Sequence, residues 1–132
     1  MPKATKVKQL SFSLPDRPGL LSEITNVVAK AKVDISAICA YAMDNSAFFM
    51  LNTDSSAKAR KAVASLGVAV EEEDVVAVEM PNKVGELQKV ARKIAEAGVN
   101  IGYMYGTAAS GKTSICIFKT SDDKRAIRVI NK

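Results

Sequence analysis

The sequence predicts an α+β fold: two tandem βαββαβ modules with antiparallel sheets. Three observations carry that expectation. The chain repeats itself, because a shift of 66 residues, the distance from Gly19 to Gly85, aligns its two halves without a gap. Each half alternates strand-like runs with apolar stripes at helical spacing. Each half also places a turn of Pro, Gly and polar residues at the same point, between its first strand and its first helix.

The repeat is carried by specific residues. Leu14-Pro15-Asp16-Arg17-Pro18-Gly19-Leu20-Leu21 falls on Met80-Pro81-Asn82-Lys83-Val84-Gly85-Glu86-Leu87. Ala29, Ala31, Val33 and Ile35 fall on Ala95, Ala97, Val99 and Ile101, and Ser55 and Lys58 on Ser121 and Lys124. Self-similarity at a fixed period is the signature of duplicated units.

In the first half, Leu10, Phe12 and Leu14 alternate with Gln9, Ser11 and Ser13, which reads as a half-buried strand. Pro15 to Gly19 turns into a helix striped by Leu20, Leu21, Ile24, Val27, Val28 and Ala31. A second strand runs from about Asp34 to Tyr41, Asp44-Asn45-Ser46 makes a hairpin turn, and Ala47 to Leu51 is a third strand. Ser55 caps a second helix whose buried face is Ala59, Ala62, Val63 and Leu66, and Gly67 ends it. Val68 to Val70 begins a fourth strand.

The second half follows suit. Val76, Val78 and Met80 share a strand face; Leu87, Val90, Ala91 and Ile94 stripe a helix ending near Gly98. Asn100 to Tyr105 and Ser114 to Lys119 read as strands, and Asp122 to Asn131 as the last helix. A fourth strand is due after it, and the chain stops at Lys132, so the second module is expected to lack its last strand. The modules are expected at 1–74 and 75–132, joined by the acidic run Glu71-Glu72-Glu73-Asp74, read as a solvated turn. A unit of about 60 residues buries only about 60% of its extended-chain surface, so the halves are expected to pack together.

Composition narrows the function classes. Histidine is absent, which removes the commonest general base, the commonest zinc ligand and every Ser-His or Cys-His nucleophile system. The net charge is +5, with Lys3, Lys6 and Lys8 opening the chain and Lys124, Arg125, Arg128 and Lys132 closing it; a solvated surface is the plain reading, anionic partners the sharper one. Cys39 and Cys116 lie in apolar runs outside any C-x-x-C pair and read as buried free thiols. Met1 to Gln9 is polar and basic with no apolar signal region after it. No apolar run reaches the roughly 18 residues of a membrane span. A cytoplasmic protein is the expectation.

The strand-to-helix turns are the strongest functional signal. A helix start presents unpaired N–H groups and the positive end of the helix dipole, which suits a carboxylate, and glycine at 19 or 85 lets a ligand approach the backbone. The plain alternative is that Gly and Pro only shape a tight turn. Asp16-Arg17-Pro18-Gly19-Leu20-Leu21 resembles the ACT-domain signature D-R-P-G-L-L, and it stands at the right place in the βαββαβ order. Asn82-Lys83-Val84-Gly85-Glu86-Leu87 resembles a looser version, departing from it at Val84 where Pro is usual. The resemblance covers nearly the whole chain as two copies. It implies a ferredoxin-like fold and regulation through a bound amino acid, held between this loop and the start of a neighbouring module's second strand. Asp34 with Ile35 and Asn100 with Ile101 occupy that start, Asp34 and Asn100 as partners for an ammonium group. The resemblance further implies a homodimer. No catalytic activity, cofactor or metal is expected, and the ligand is an amino acid or similar small metabolite. A metabolic enzyme regulated in trans is the candidate partner. The strand edge left without a neighbour in the second half also invites pairing between chains.

Gly106-Thr107-Ala108-Ala109-Ser110-Gly111-Lys112-Thr113 fits the P-loop pattern G-x-x-x-x-G-K-[ST]. That motif needs a helix after it to hold phosphates. Here the β-type run Ser114-Ile115-Cys116-Ile117-Phe118 follows, so a Gly/Ser hairpin is expected instead. The acidic run lacks EF-hand spacing, and Met43, Met50, Met80 and Met104 read as packing residues. The alternative function is single-stranded RNA binding, since RNA-recognition modules share the βαββαβ order. The third strands, Ala47 to Leu51 and Ser114 to Phe118, do not fit their aromatic K/R-G-F/Y-G/A-F-V-x-F/Y pattern.

Overall fold

The computed structural model of the chain describes residues 2–107 and 111–132. Along them run β1 (Lys3–Pro15), α1 (Leu20–Lys30), β2 (Ile35–Met43), β3 (Ser46–Thr53), α2 (Ser56–Ala64), β4 (Glu71–Pro81), α3 (Glu86–Glu96), β5 (Ile101–Thr107), β6 (Thr113–Thr120) and α4 (Asp123–Ile130). They divide into two compact units, Lys8–Glu73 and a second made of Met1–Val7 with Asp74–Lys132. The division differs from a single cut at 74/75 because the long strands β1 and β4 each contribute to both units.

In the first unit β3 lies between β2 and β1, antiparallel to both, with Phe12 opposite Phe49 and Phe49 opposite Ala40. Leu20, Ile24 and Val28 recur every four residues on α1, so they form one stripe, and with Ala59 and Val63 of α2 they cover Leu10, Phe12, Phe49 and Leu51. The Phe12 and Phe49 rings stack at 5.2 Å. The hairpin between β2 and β3 turns on Asp44 and Asn45 at φ 51° and 65°, the left-handed pair that a two-residue turn requires. Glu71–Glu73 of β4 runs beside β1 as this unit's fourth strand.

The second unit is built the same way. β6 lies between β5 and β4, antiparallel to both. Val90 and Ile94 of α3 and Ala126 and Ile130 of α4 cover Val76, Val78, Met80 and Phe118. No strand follows α4. The place beside β4 is taken by Lys3–Val7, the first half of β1. Ala4 is buried in this unit's core. Its N–H donates to Asn131 Oδ1 at 2.7 Å, and Asn131 Nδ2 donates back to its carbonyl at 2.9 Å. The edge expected to be open therefore has a neighbour.

Two expectations are corrected, and β1 begins at Lys3, upstream of the alternation that starts at Gln9. The acidic run is part of β4 rather than a turn: Lys6 Nζ lies 3.8 Å from Asp74 Oδ2, Lys119 Nζ donates to the Asp74 carbonyl at 3.0 Å, and Gln9 Nε2 donates to Glu73 Oε1 at 3.1 Å. Gln9, assigned to the solvent side of its strand, is fully buried.

The repeat is also not gapless. Through β5 the offset is 66, and even the irregularity at the start of the second strand recurs, at Ile35/Ala37 and Ile101/Tyr103. Beyond the hairpin one residue has been inserted. Leu10 pairs with Leu51, whereas Val76 pairs with Phe118, so Cys116 is the counterpart of Phe49. The helix cap equivalent to Ser55 is accordingly Asp122, not Ser121. Ser55 Oγ accepts from the Lys58 N–H and Asp122 Oδ1 from the Arg125 N–H. Ser121 takes the role of Asp54: its hydroxyl oxygen accepts the Asn100 N–H at 2.9 Å, as Asp54 Oδ1 accepts the Asp34 N–H at 3.0 Å.

The insertion lies in the P-loop-like stretch, of which Ala108, Ala109 and Ser110 are outside the described residues. Thr113 opens β6, so a strand follows Lys112 where a phosphate loop needs a helix. Among the described residues no helix is long and apolar enough to cross a membrane.

The shifted cap has a measurable consequence. Asp122→Ala is expected to cost about 1 kcal/mol through the loss of the α4 cap, read as a lower urea midpoint with an unchanged slope.

Candidate functional site

Both candidate loops fold alike, and backbone chemistry explains how. The Asp16 N–H donates to the Asn45 carbonyl at 2.9 Å and the Asn82 N–H to the Lys112 carbonyl at 2.8 Å, so each loop is tied to its unit's β-hairpin. The Leu20 N–H donates to Arg17 O at 3.4 Å and the Glu86 N–H to Lys83 O at 3.3 Å, closing each turn. Gly19 and Gly85 then cap α1 and α3 at φ 85° and 87°. That left-handed region is costly for residues with a Cβ. A Cβ added at either glycine would meet nothing within 4 Å, so backbone conformation dictates glycine here and the approach to the helix start is open.

The caps distinguish the helices. α2 and α4 are capped by side chains, Ser55 and Asp122. α1 and α3 start on a glycine with no side-chain cap. The Glu23 and Lys89 N–H groups bond to Gly19 O and Gly85 O. The two N–H groups before each of these, Leu21 and Ser22 or Leu87 and Gln88, have no intrahelical acceptor by helix geometry. Such a start favours an anion.

Each open start faces a cavity within its own unit. In the first, about 260 Å³, Asp16, Arg17, Gly19, Leu20 and Leu21 face Ala40, Tyr41, Ala42, Ala47 and Phe49. In the second, about 360 Å³, Asn82, Lys83, Glu86 and Leu87 face Met80, Met104, Gly106, Thr107, Ser114 and Cys116. Pro18 lies in the turn, and Val84, its counterpart, is fully exposed.

Asp34, Ile35, Asn100 and Ile101 stand elsewhere. Ile35 and Ile101 begin β2 and β5, with Asp34 and Asn100 directly before them, whereas the cavities lie at the far ends of those strands. The Asp54 N–H donates to the Asp34 carbonyl at 3.1 Å and the Ser121 N–H to that of Asn100 at 2.9 Å. Within a unit, then, the loop meets the end of its own second strand. Ala40, Tyr41, Ala42, Met104, Gly106 and Cys116 were not among the residues expected at the sites. Strand alternation together with the hairpin position would have found all of them but Tyr41, which points to the other face beside Phe48, because residues on the same sheet face and at the same strand end as the loop line whatever opens beneath it.

Charge is arranged differently in the two loops. Arg17 forms an ion pair with Glu23. Glu86 stands where the first loop has Leu20, and Lys89 Nζ lies 2.9 Å from Glu86 Oε2. The hydrogen bond from Lys89 holds the Glu86 carboxyl below the usual carboxylate range. Burial pushes the Cys116 thiol up, so it is a neutral wall rather than a thiolate. Each site thus combines backbone donors, a cationic side chain and a carboxylate above an apolar floor, a combination suited to a small zwitterion.

Comparison with known proteins agrees with this architecture. No curated protein sequence matches the chain. Among solved structures, the crystal structure of a protein from Bacteroides thetaiotaomicron is 32% identical, covers 97% of this chain and 88% of its own, and superposes with a TM-score of 0.88. The ligand-free regulatory subunit of aspartate kinase from Thermus thermophilus shares the fold at 16% identity, covering 98% of this chain and 94% of its own, with a TM-score of 0.70. Aspartate kinase from Synechocystis matches 98% of this chain over 26% of its own length, at 20% identity and a TM-score of 0.70. The profile of the ACT domain pair matches residues 5–132. The chain belongs to the ACT domain pair family.

Proposed function

We propose that this protein is a regulatory module that binds an amino acid or a similar small metabolite, with the ligand carboxylate at the glycine-capped helix starts. One observation carries the reading. The two helices whose starts lack a side-chain cap, α1 and α3, each open onto a cavity. Asp16, Arg17, Pro18, Gly19, Leu20 and Leu21 form one loop and Asn82, Lys83, Val84, Gly85, Glu86 and Leu87 the other. In each, backbone N–H groups receive the carboxylate. The fold shared with an aspartate kinase regulatory subunit supports a role in controlling an enzyme in trans; a cytoplasmic location is part of the same proposal.

We further propose a homodimer. β2 is the outer strand of its unit and carries the exposed apolar side chains Ile38, Tyr41 and Met43. A second copy would also bring Asp34 with Ile35, or Asn100 with Ile101, to a loop and supply the ammonium partner.

Two outcomes test this reading. A bound amino acid at 100 times its dissociation constant should add about 2.7 kcal/mol of stability, seen as a thermal shift in a screen of the proteinogenic amino acids. Asparagine tolerates the left-handed region better than most residues, so Gly19→Asn and Gly85→Asn should fold while placing a side chain at the open helix start. Each should weaken binding at its own site at least tenfold, about 1.4 kcal/mol; unchanged calorimetric affinity in both folded variants would reduce the loops to turns. Sedimentation should show a dimer at micromolar concentration that dissociates in Tyr41→Lys; a monomer at every concentration would refute the dimer alone.

A further inference from the structure

The two sites are lined by unequal residues. Opposite the first loop stands Phe49, whose ring stacks on Phe12, and across from it Ala40. At the equivalent points of the second unit stand Cys116 and Gly106, with Val78 in place of Phe12. Leu20, at the first helix start, is buried in the core, whereas its counterpart Glu86 is engaged with Lys89. Two bulky apolar side chains that line the first cavity, Leu20 and Phe49, are thus Glu86 and Cys116 in the second. The second cavity is correspondingly the larger, about 360 Å³ against about 260 Å³. Small-molecule pockets run from about 300 to 1,000 Å³, so the second falls inside that range and the first below it.

The floor of the larger hollow is apolar and adaptable. Met80 is buried and Met104 partly exposed, and unbranched thioether chains adjust to an irregular aliphatic guest. Gly106 cannot regain the lost volume: a Cβ there would lie 2.5 Å from Cys116 Sγ and 3.1 Å from the Ile115 carbonyl.

We propose that the Asn82–Leu87 site selects an amino acid with a long apolar side chain, aliphatic or thioether, which occupies the hollow between Met80, Met104, Gly106 and Cys116. This selectivity rests on the reading that the loop holds the ligand carboxylate. It follows from geometry that the sequence match conceals, because the loop closer to the family signature is the one whose floor is filled.

The test compares glycine, alanine, leucine and methionine by calorimetry on the full chain. Leucine and methionine should bind at least tenfold tighter than glycine. Cys116→Phe, which restores the residue type the first unit uses at that point, should bring the ratio of leucine to glycine affinity from at least tenfold down to about one. A ratio still at tenfold or more in the folded variant overturns the proposal. Should that variant fail to fold, methyl NMR of the unaltered protein decides. Leucine should shift the ε-methyl signals of Met80 and Met104 and leave those of Met43 and Met50 in place. Glycine binding as tightly as leucine, or leucine moving only Met43 and Met50, overturns the selectivity while leaving amino-acid binding intact. Failure of all four to bind, with no thermal shift from any other amino acid, overturns the functional reading and the selectivity with it.

Discussion

In a βαββαβ unit the first strand is central and needs a neighbour on each side, since an unpaired strand leaves a row of N–H and C=O groups unsatisfied. β4 is that strand in the second unit. β6 covers one side of it, and β1 lies along the other. Lys3–Val7 meets the need from the other end of the sequence. Asn131 fixes it there by bonding both polar groups of Ala4, the residue whose small side chain enters the core. Much else follows from this one requirement. β1 must be long enough to finish one unit and begin the other, β4 must do the same, and the acidic stretch at their common level must be strand. Lys6 is a cation beside the Asp74 carboxylate there, and Lys119 bonds the Asp74 backbone carbonyl.

With the sheets fixed, the position of the loops is no longer adjustable. Each is tied by a backbone hydrogen bond to the hairpin beside it, so the helix start, the end of the second strand and the third strand form three sides of one cavity. The open helix start carries a modest energetic cost, since a side-chain cap contributes about 1 kcal/mol to a helix. The chain uses such caps at Ser55 and Asp122 and omits them at Gly19 and Gly85. A side-chain oxygen there would compete for the same N–H groups that a ligand carboxylate uses.

How much of this was legible in the sequence depends on which forces act locally. The helices were legible because their stripes repeat every three or four residues, and the loops because only glycine and proline favour such turns. Lys3–Val7 was not, since its strand character comes from pairing with residues some seventy positions away, and its side chains alternate too weakly to show it. The buried Gln9 was hidden for a related reason: polarity placed it in solvent, while Glu73 supplies a partner the local sequence does not show. The inserted residue was invisible because Ser121 and Asp122 are both good caps, and composition cannot say which is in register. Once the offset slipped by one, Ser114 was matched with Phe48 and Cys116 with Met50. The residues that shape the cavity floors were thereby compared with the wrong partners.

The position where the second loop leaves the family signature shows what the signature is for. Pro18 has been replaced by Val84, which is fully exposed and packs on nothing. Yet Gly85 takes a φ within a few degrees of that of Gly19, and the hydrogen bonds that close the first turn all recur in the second, which adds one from the Lys83 N–H to the Pro81 carbonyl. Proline at this point therefore does not create the turn. It acts mainly on the unfolded chain, where a fixed φ reduces the entropy lost on folding by an amount worth about 0.4–1 kcal/mol. The constraints that cannot be relaxed are the left-handed glycine and the tie to the hairpin, and both halves keep them. A loop that has lost its proline and kept its geometry is still under the demand to present an open helix start, and the residues free to diverge are those that decide what enters beneath it.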